Sequence, residues 1–400
     1  MKTEFQIDSF AANKYKILQD FEIFLDYISF SGIEISKKNH RICTEAVTEL
    51  NKKISKNLKL DLKQHNQSSY PHISSLILLY RATGFGEIKL VNDKFVLTIN
   101  EDMHKQWRNL NETEKYFNLF ITWICNGVPS IIGIEADFFL SSNNLLQFMT
   151  GKHPDYIIQS ETKSLKSVNY SVGTHNLTLL DMFGFVEIID NSNELSNKWE
   201  IKELKFTQLG IYIFKLIKEM LKKKSNEEFY SRATTPISIK NSLQKTLKSL
   251  FKEYKSDMQL PIRIEIENDL VFKVRLGRVW RKISVPSNYS LNNFCDYIID
   301  CFEFDHTHLY QISTKNRFGY IETYTHPEID DDFYGNPNSA DYTLKSLHIN
   351  AGTILDFTYD FGDNWQFEIF CEKVDTVLSK KPRVIEKKGK TPEQYNNNKL

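Results

Sequence analysis

Seven residues constrain this chain most: Tyr359-Asp360-Phe361-Gly362-Asp363-Asn364-Trp365. Alternating stretches flank them, Ile354 to Phe361 before and Gln366 to Glu372 after. An acidic, glycine-containing turn between two alternating runs reads as a β-hairpin. A lone hairpin is barely stable in water, so further strands or a helix must cover its apolar face. Period two puts Leu355, Phe357, Tyr359 and Phe361 on one face, and Asp356, Thr358 and Asp360 on the other. Gly362 is expected to supply positive φ. Asp360 and Asp363 are expected to bond the turn's own N–H groups. Trp365 is expected to anchor the core with its indole N–H satisfied.

The pattern around this hairpin extends the sheet. Phe272, Val274 and Leu276 alternate with Lys273 and Arg275, and Val279, Ile283 and Val285 with Trp280, Lys282 and Ser284. Gly277-Arg278 joins them as a tight turn. Ser290 can cap a helix carrying Leu291, Phe294, Cys295, Ile298 and Phe302. Strand signals return at 308–312 and 318–321, and Leu344, Leu347 and Ile349 suggest a helical turn. Two strands, a crossing helix and more strands make an α+β roll similar to a β-grasp.

The front half carries a weak internal repeat. One copy runs Leu78 to Ile88, then Asn92-Asp93, then Phe95 to Thr98. The other runs Leu179 to Ile188, then a polar tip, then Trp199 to Thr207. Each reads helix, glycine break, strand, polar hairpin, strand and threonine cap, and resembles the winged-helix unit of bacterial regulators. Asn111 and Glu114 form a variant capping box for a helix ending at Gly127. The expected division is 1–135, helical with one winged-helix-like unit; 136–225, a second unit; 226–260, a polar spacer with a short helix; and 261–400, the roll.

Composition excludes several classes. Lys plus Arg and Asp plus Glu stand at 51 each, so no global charge draws the chain to nucleic acid or anionic lipid. Residues 261–400 hold 17 cations against 21 carboxylates, and residues 1–260 hold 34 against 30. Five cysteines without a C-x-x-C motif read as reduced thiols in the cytoplasm. No run reaches about 18 apolar residues, so no membrane span is expected, and the N-terminus lacks a signal peptide's apolar core. The reading helices expected at Ile73–Ala82 and Ser171–Phe183 carry Arg81 as their one cation. Phosphate contact needs more. The wing tips add Lys89, Lys94, Lys198 and Lys202.

Over roughly residues 268–395 the motifs form an ordered set. They are Trp280-Arg281-Lys282-Ile283 with Val285-Pro286; Leu291; Phe304-Asp305 with His308-Leu309-Tyr310; Leu344; Ala351-Gly352; the 359–365 turn; Pro382-Arg383-Val384-Ile385; Gly389-Lys390; and Pro392-Glu393-Gln394-Tyr395. The set resembles the plasmid pRiA4b ORF-3-like family, also met as a passenger of bacterial transposons. The resemblance implies a mobile-element setting and no defined reaction. Asn364 stands where the family usually has an acid and Phe367 where it usually has a His, so a site using that His is altered here. The C-terminus is expected to be shortened relative to the family.

Candidate binding residues are His308, Tyr310, Asp360, Asp363 and Trp365. Carboxylates beside a turn can hold a cation or a water. They also serve the turn itself. His306 and His308 would face one side of a strand, but no third ligand follows at metal spacing, so no metal or cofactor is expected. Glu328, Asp330, Asp331 and Asp332, beside His326, read as a solvated acidic loop. No P-loop, G-x-S-x-G, H-E-x-x-H or G-x-G-x-x-G occurs, and no catalytic residue is assigned. The function expected is a non-catalytic binding or adaptor role linked to a plasmid or transposable element, with a protein partner favoured over nucleic acid. The alternatives are an accessory winged-helix DNA-binding factor, and a metal-assisted enzyme using Asp360, Asp363 and His308.

Overall fold

A computed structural model of the chain describes residues 6–134, 138–151, 158–159, 163–223, 236–262, 265, 267–329 and 336–395. Asp330, Asp331 and Asp332 of the acidic loop lie outside them. The chain divides into two compact units, Met1–Pro261 and Ile262–Leu400, each mixing helix and sheet. None of the described helices is long and apolar enough to cross a membrane.

Unit 1 runs α1 (Lys16–Ser31), β1 (Ile33–Ile35), α2 (Thr44–Lys53), α3 (Pro71–Ala82), β2 (Gly86–Val91), β3 (Lys94–Ile99), α4 (Glu101–Arg108), α5 (Glu112–Asn126) and α6 (Phe138–Thr150). It continues through β4 (Ile158–Gln159), α7 (Lys163–Val172), α8 (Thr174–Met182), β5 (Val186–Asp190), β6 (Ile201–Phe206), α9 (Gln208–Lys223) and α10 (Pro236–Leu250). The repeat is visible as topology. Two three-stranded sheets have orders β1-β3-β2 and β4-β6-β5, each behind a helix. Asn92 and Asp93, at φ 48° and 61°, make the first hairpin turn, where their side chains tolerate left-handed backbone. The helix expected from Ser171 breaks at Gly173 (φ 84°), so Ser171 belongs to the last turn of α7, which ends at Val172, and α8 begins at Thr174.

The two repeat helices bury each other. Every residue of α3 is buried, and so is α8 from His175 onward. Ser75 Oγ lies 2.5 Å from Thr178 Oγ1 and donates to the His175 carbonyl at 2.8 Å, small hydroxyl side chains that let the helices meet closely. Arg81, the one cation on these helices, is itself buried, with Nη1 3.3 Å from His40 Nδ1. The lysines Lys89, Lys94, Lys198 and Lys202 are each matched by a glutamate: Lys89 with Glu87, Lys94 with Glu34, Lys198 with Glu200 and Lys202 with Glu194.

Residues 236–258, expected as a spacer, are docked on α5. Leu243, Leu247, Phe251 and Tyr254 are buried. The Asn111–Glu114 capping box is present, and Glu114 also accepts from Ser256 N at 2.8 Å. Asn118 donates to the Ser256 carbonyl at 3.0 Å. The polar composition of this stretch satisfies α5 and its cap, a use that composition alone does not distinguish from solvation.

Unit 2 runs β7 (Asp269–Leu276), β8 (Val279–Pro286), α11 (Leu291–Cys301), β9 (Tyr310–Lys315), β10 (Ile321–Thr325), β11 (Ile354–Tyr359), β12 (Trp365–Val374) and β13 (Arg383–Lys388). One sheet of order β10-β9-β11-β12-β7-β8-β13 contains them, antiparallel at every pairing. Leu276 opposes Val279, so Gly277 (φ 59°) and Arg278 form a two-residue turn. Ser290 Oγ accepts from Asn293 N at 3.1 Å and starts α11. Leu291, Phe294, Cys295 and Ile298 pack with Phe272, Val274, Ile283, Val285, Phe357, Phe367 and Ile369 in one core. Burying each large apolar side chain contributes about 1.5–3 kcal/mol, so unit 2 carries its own stabilising core. All five cysteines are unpaired thiols. Burial pushes Cys371 up to about 12 and Cys295 well above its ordinary value, which makes both poor nucleophiles.

Candidate functional site

The 359–365 hairpin is built differently from its sequence expectation. Tyr359 pairs with Trp365, leaving a five-residue loop. Positive φ falls on Asp360 (56°) and Asn364 (54°), not on Gly362. The left-handed step at Asp360 ends the alternation of β11. Asp360 is therefore 7% exposed, while Phe361, expected on the core face, is 49% exposed. Asp360 Oδ1 accepts from Gly362 N at 2.9 Å and Asp363 N at 3.3 Å, and Asn364 N donates to the Asp360 carbonyl at 2.6 Å. One carboxylate holds the loop. Asp363, expected to share this task, is exposed and contributes its backbone N–H. Asn364 in the left-handed region gives a physical reason for an amide there, since Asn adopts that conformation readily.

Three segments converge beside this loop. His308 Nε2 lies 3.5 Å from Asp360 Oδ2 and 3.0 Å from Tyr395 Oη. Tyr395 Oη donates to Asp305 Oδ2 at 2.5 Å. Asp305 Oδ1 accepts from Thr307 N at 3.1 Å, Thr307 Oγ1 at 2.8 Å and Gln394 Nε2 at 3.1 Å. Asp305 N donates to Gln394 Oε1 at 2.7 Å, and the Tyr359 hydroxyl donates to the Asp305 carbonyl. The Tyr395 hydrogen bond comes first among the causes that hold the Asp305 carboxyl well below its ordinary range. The same bond raises Tyr395. Burial pushes Tyr359 up to about 12.

The other expected site residues go elsewhere. Tyr310 opposes Tyr359 in the sheet, but its hydroxyl reaches Asn292 Oδ1 at 2.7 Å and Ser339 Oγ at 3.0 Å inside the core. Trp365 packs on Phe304 with ring centroids 5.1 Å apart. Its indole N–H is buried without a partner among the described residues, contrary to the expected satisfied anchor. His306 and His308 do not lie on a strand, because β9 begins only at Tyr310. His306 Nε2 instead lies 2.8 Å from Asp300 Oδ1. Phe367 is 1% exposed and packs edge-on against Phe302, so position 367 faces the core.

Asp305, Gln394 and Tyr395 complete the cluster, although the site expectation did not contain them. Their signal was present as the paired motifs Phe304-Asp305 and Gln394-Tyr395, which only the fold brings together. Arg281 belongs with them. It is 4% exposed and lies 4.9 Å over the Phe302 ring. Nε donates to the Cys301 carbonyl at the end of α11 at 3.0 Å. Nη1 donates to the carbonyls of Trp280, Lys388 and Gly389, and Nη2 to Thr391 Oγ1 at 2.8 Å. Arg281 and Asp305 thus fasten the 388–395 segment to the sheet. Among the described residues, no group of three or more His, Cys, Asp or Glu is arranged to hold a metal ion.

A seven-stranded antiparallel sheet with one helix, a carboxylate-locked hairpin and a fastened C-terminal segment defines the class of this unit. Residues 268–395 match the family model of the plasmid pRiA4b ORF-3-like protein. A solved protein of unknown function from Methanosarcina mazei Go1 is 25% identical, over 30% of this chain and 68% of that one. Its TM-score of 0.26 shares too little geometry to carry an argument. No curated protein matches the chain.

Proposed function

We propose that this protein is a non-catalytic binding or adaptor protein of a plasmid or transposable element, acting in the cytoplasm on a protein partner. In this reading unit 1 is a pair of winged-helix-like elements, and unit 2 is a roll with a grasp-like order of strands and helix. The observation that carries it is the mutual burial of α3 and α8. Helices that would read a major groove must present side chains to bases and cations to phosphates. These present neither, and the wing-tip lysines face glutamates. The His308, Asp360, Asp305 and Tyr395 cluster supports a structural role, because its carboxylates are consumed in fastening the chain. The experiment is a mobility-shift titration of the full chain with duplex DNA at about 0.15 M salt. Weak or no binding is expected. A Kd on the order of 10⁻⁸ M, as in specific complexes, would favour the accessory DNA-binding reading instead.

A further inference from the structure

The end of the large sheet carries an edge strand unlike its other strands. β13 is exposed along its whole length and, among the described strands, pairs on one side only, with β8. Its outer side presents backbone N–H and C=O groups to solvent, a template for another strand. Residues 380–390 read Lys-Lys-Pro-Arg-Val-Ile-Glu-Lys-Lys-Gly-Lys, six cations against one carboxylate. All six cations are exposed, and none closes an ion pair with a described carboxylate. The opposite edge, β10, reads Ile-Glu-Thr-Tyr-Thr and has no cation.

Lysines on an edge also discourage unwanted pairing. Guarding alone does not call for two adjacent β-branched apolar residues at the strand's centre. Val384 and Ile385 are 43% and 47% exposed there. A register shift between Val384 and Glu386 leaves Ile385 without an opposing residue on β8. A second copy of the chain is the wrong occupant, since pairing β13 with itself would bring like charges together. An acidic extended segment reverses that sign.

We propose that the β13 edge takes an acidic, extended peptide segment as an added strand. Backbone hydrogen bonds supply affinity, the cations select acidic sequence, and Val384 and Ile385 grip an apolar residue at its centre. This partner class rests on the edge itself and not on the absence of DNA binding by unit 1.

The test uses the full chain and a labelled peptide of about twelve residues, long enough for a strand, alternating Glu and Thr around a central Val-Val. Fluorescence anisotropy should give saturable binding that weakens with salt, and amide exchange should slow at 383–388. Lys387→Glu with Lys388→Glu should weaken binding by about tenfold or more. A peptide of equal charge with Pro at alternate Thr positions should bind at least as poorly, because Pro lacks the ladder donor. Equal binding of the Pro peptide would reduce the effect to charge and overturn strand addition. So would unchanged exchange at β13, or no binding of the first peptide. A single-stranded oligonucleotide that binds more tightly than the acidic peptide would also overturn the proposal, assigning the edge to nucleic acid.

Discussion

Acid should open unit 1 at two buried histidines. His72 and His175 are 3% and 4% exposed, in the paired helices α3 and α8. The His72 ring meets Trp199 edge-on, and its Nδ1 has no hydrogen-bond partner among the described residues. Neither ring nitrogen of His175 has one. Burial lowers His72 to about 3, aided by Lys56 and Lys16 and opposed by Asp190. Burial alone lowers His175 to about 4. A histidine whose folded value is depressed leaves the native state with fewer protons than the unfolded chain. Its stabilisation is whole above the ordinary value of about 6.5 and is lost as pH falls from there towards the folded value. At pH 5 the unfolded form gains about 1.5 units of protonation free energy per histidine, about 2 kcal/mol each and roughly 4 kcal/mol together. That is a large share of a typical domain stability of about 5–15 kcal/mol. Asp20, raised by burial, acts in the opposite sense, so the measurement is a difference between variants. Urea melts at pH 7.5 and pH 5 would compare wild type with the double variant His72→Leu, His175→Leu. The double variant should lose roughly 4 kcal/mol less between the two conditions in the unit 1 transition. Equal losses in both proteins would refute the argument.

The remaining predictions concern unit 2. Arg281→Lys should cost about 3 kcal/mol or more in a thermal or urea melt, because a lysine cannot reach the carbonyls of Cys301, Lys388 and Gly389 together. Amide exchange should rise first at 383–391. Asp360→Ala should cost about 0.5–2 kcal/mol through the lost turn bonds and a left-handed alanine, whereas Asp363→Ala should lie within about 0.5 kcal/mol of wild type. Melts that rank the two variants the other way would contradict the turn geometry. Residues 262–395 expressed alone should melt in one cooperative transition, since their core is drawn from their own strands and α11. A broad transition would show that the unit needs the rest of the chain.

Local rules made much of this chain legible from its sequence. The capping box at Asn111 and Glu114, the cap at Ser290, the two-residue turn at Gly277 and the alternation of β7, β8 and β11 depend on neighbours a few residues apart. The repeat likewise emerges from local punctuation by glycine, threonine and polar hairpins. Ordered motifs across 268–395 were enough to indicate the family, because their spacing is itself a sequence property.

What lies between distant residues was decided by the tertiary structure. The backbone flips at Asp360 rather than Gly362, because the Asp360 carboxylate gathers two loop N–H groups while its second oxygen lies near His308. That sends Phe361 outward and leaves Asp363 in solvent. Tyr310 turns to Asn292 and Ser339 because the sheet sets it over the core. Arg281 and Asp305 acquire their meaning only when the 388–395 segment returns across more than eighty residues of chain. The polar stretch before Pro261 reads as a spacer until Glu114 and Asn118 are seen holding Ser256. Short-range hydrogen bonds and side-chain period can be read along a chain, whereas the partner of a buried charge or an orphan carbonyl is chosen by packing in three dimensions.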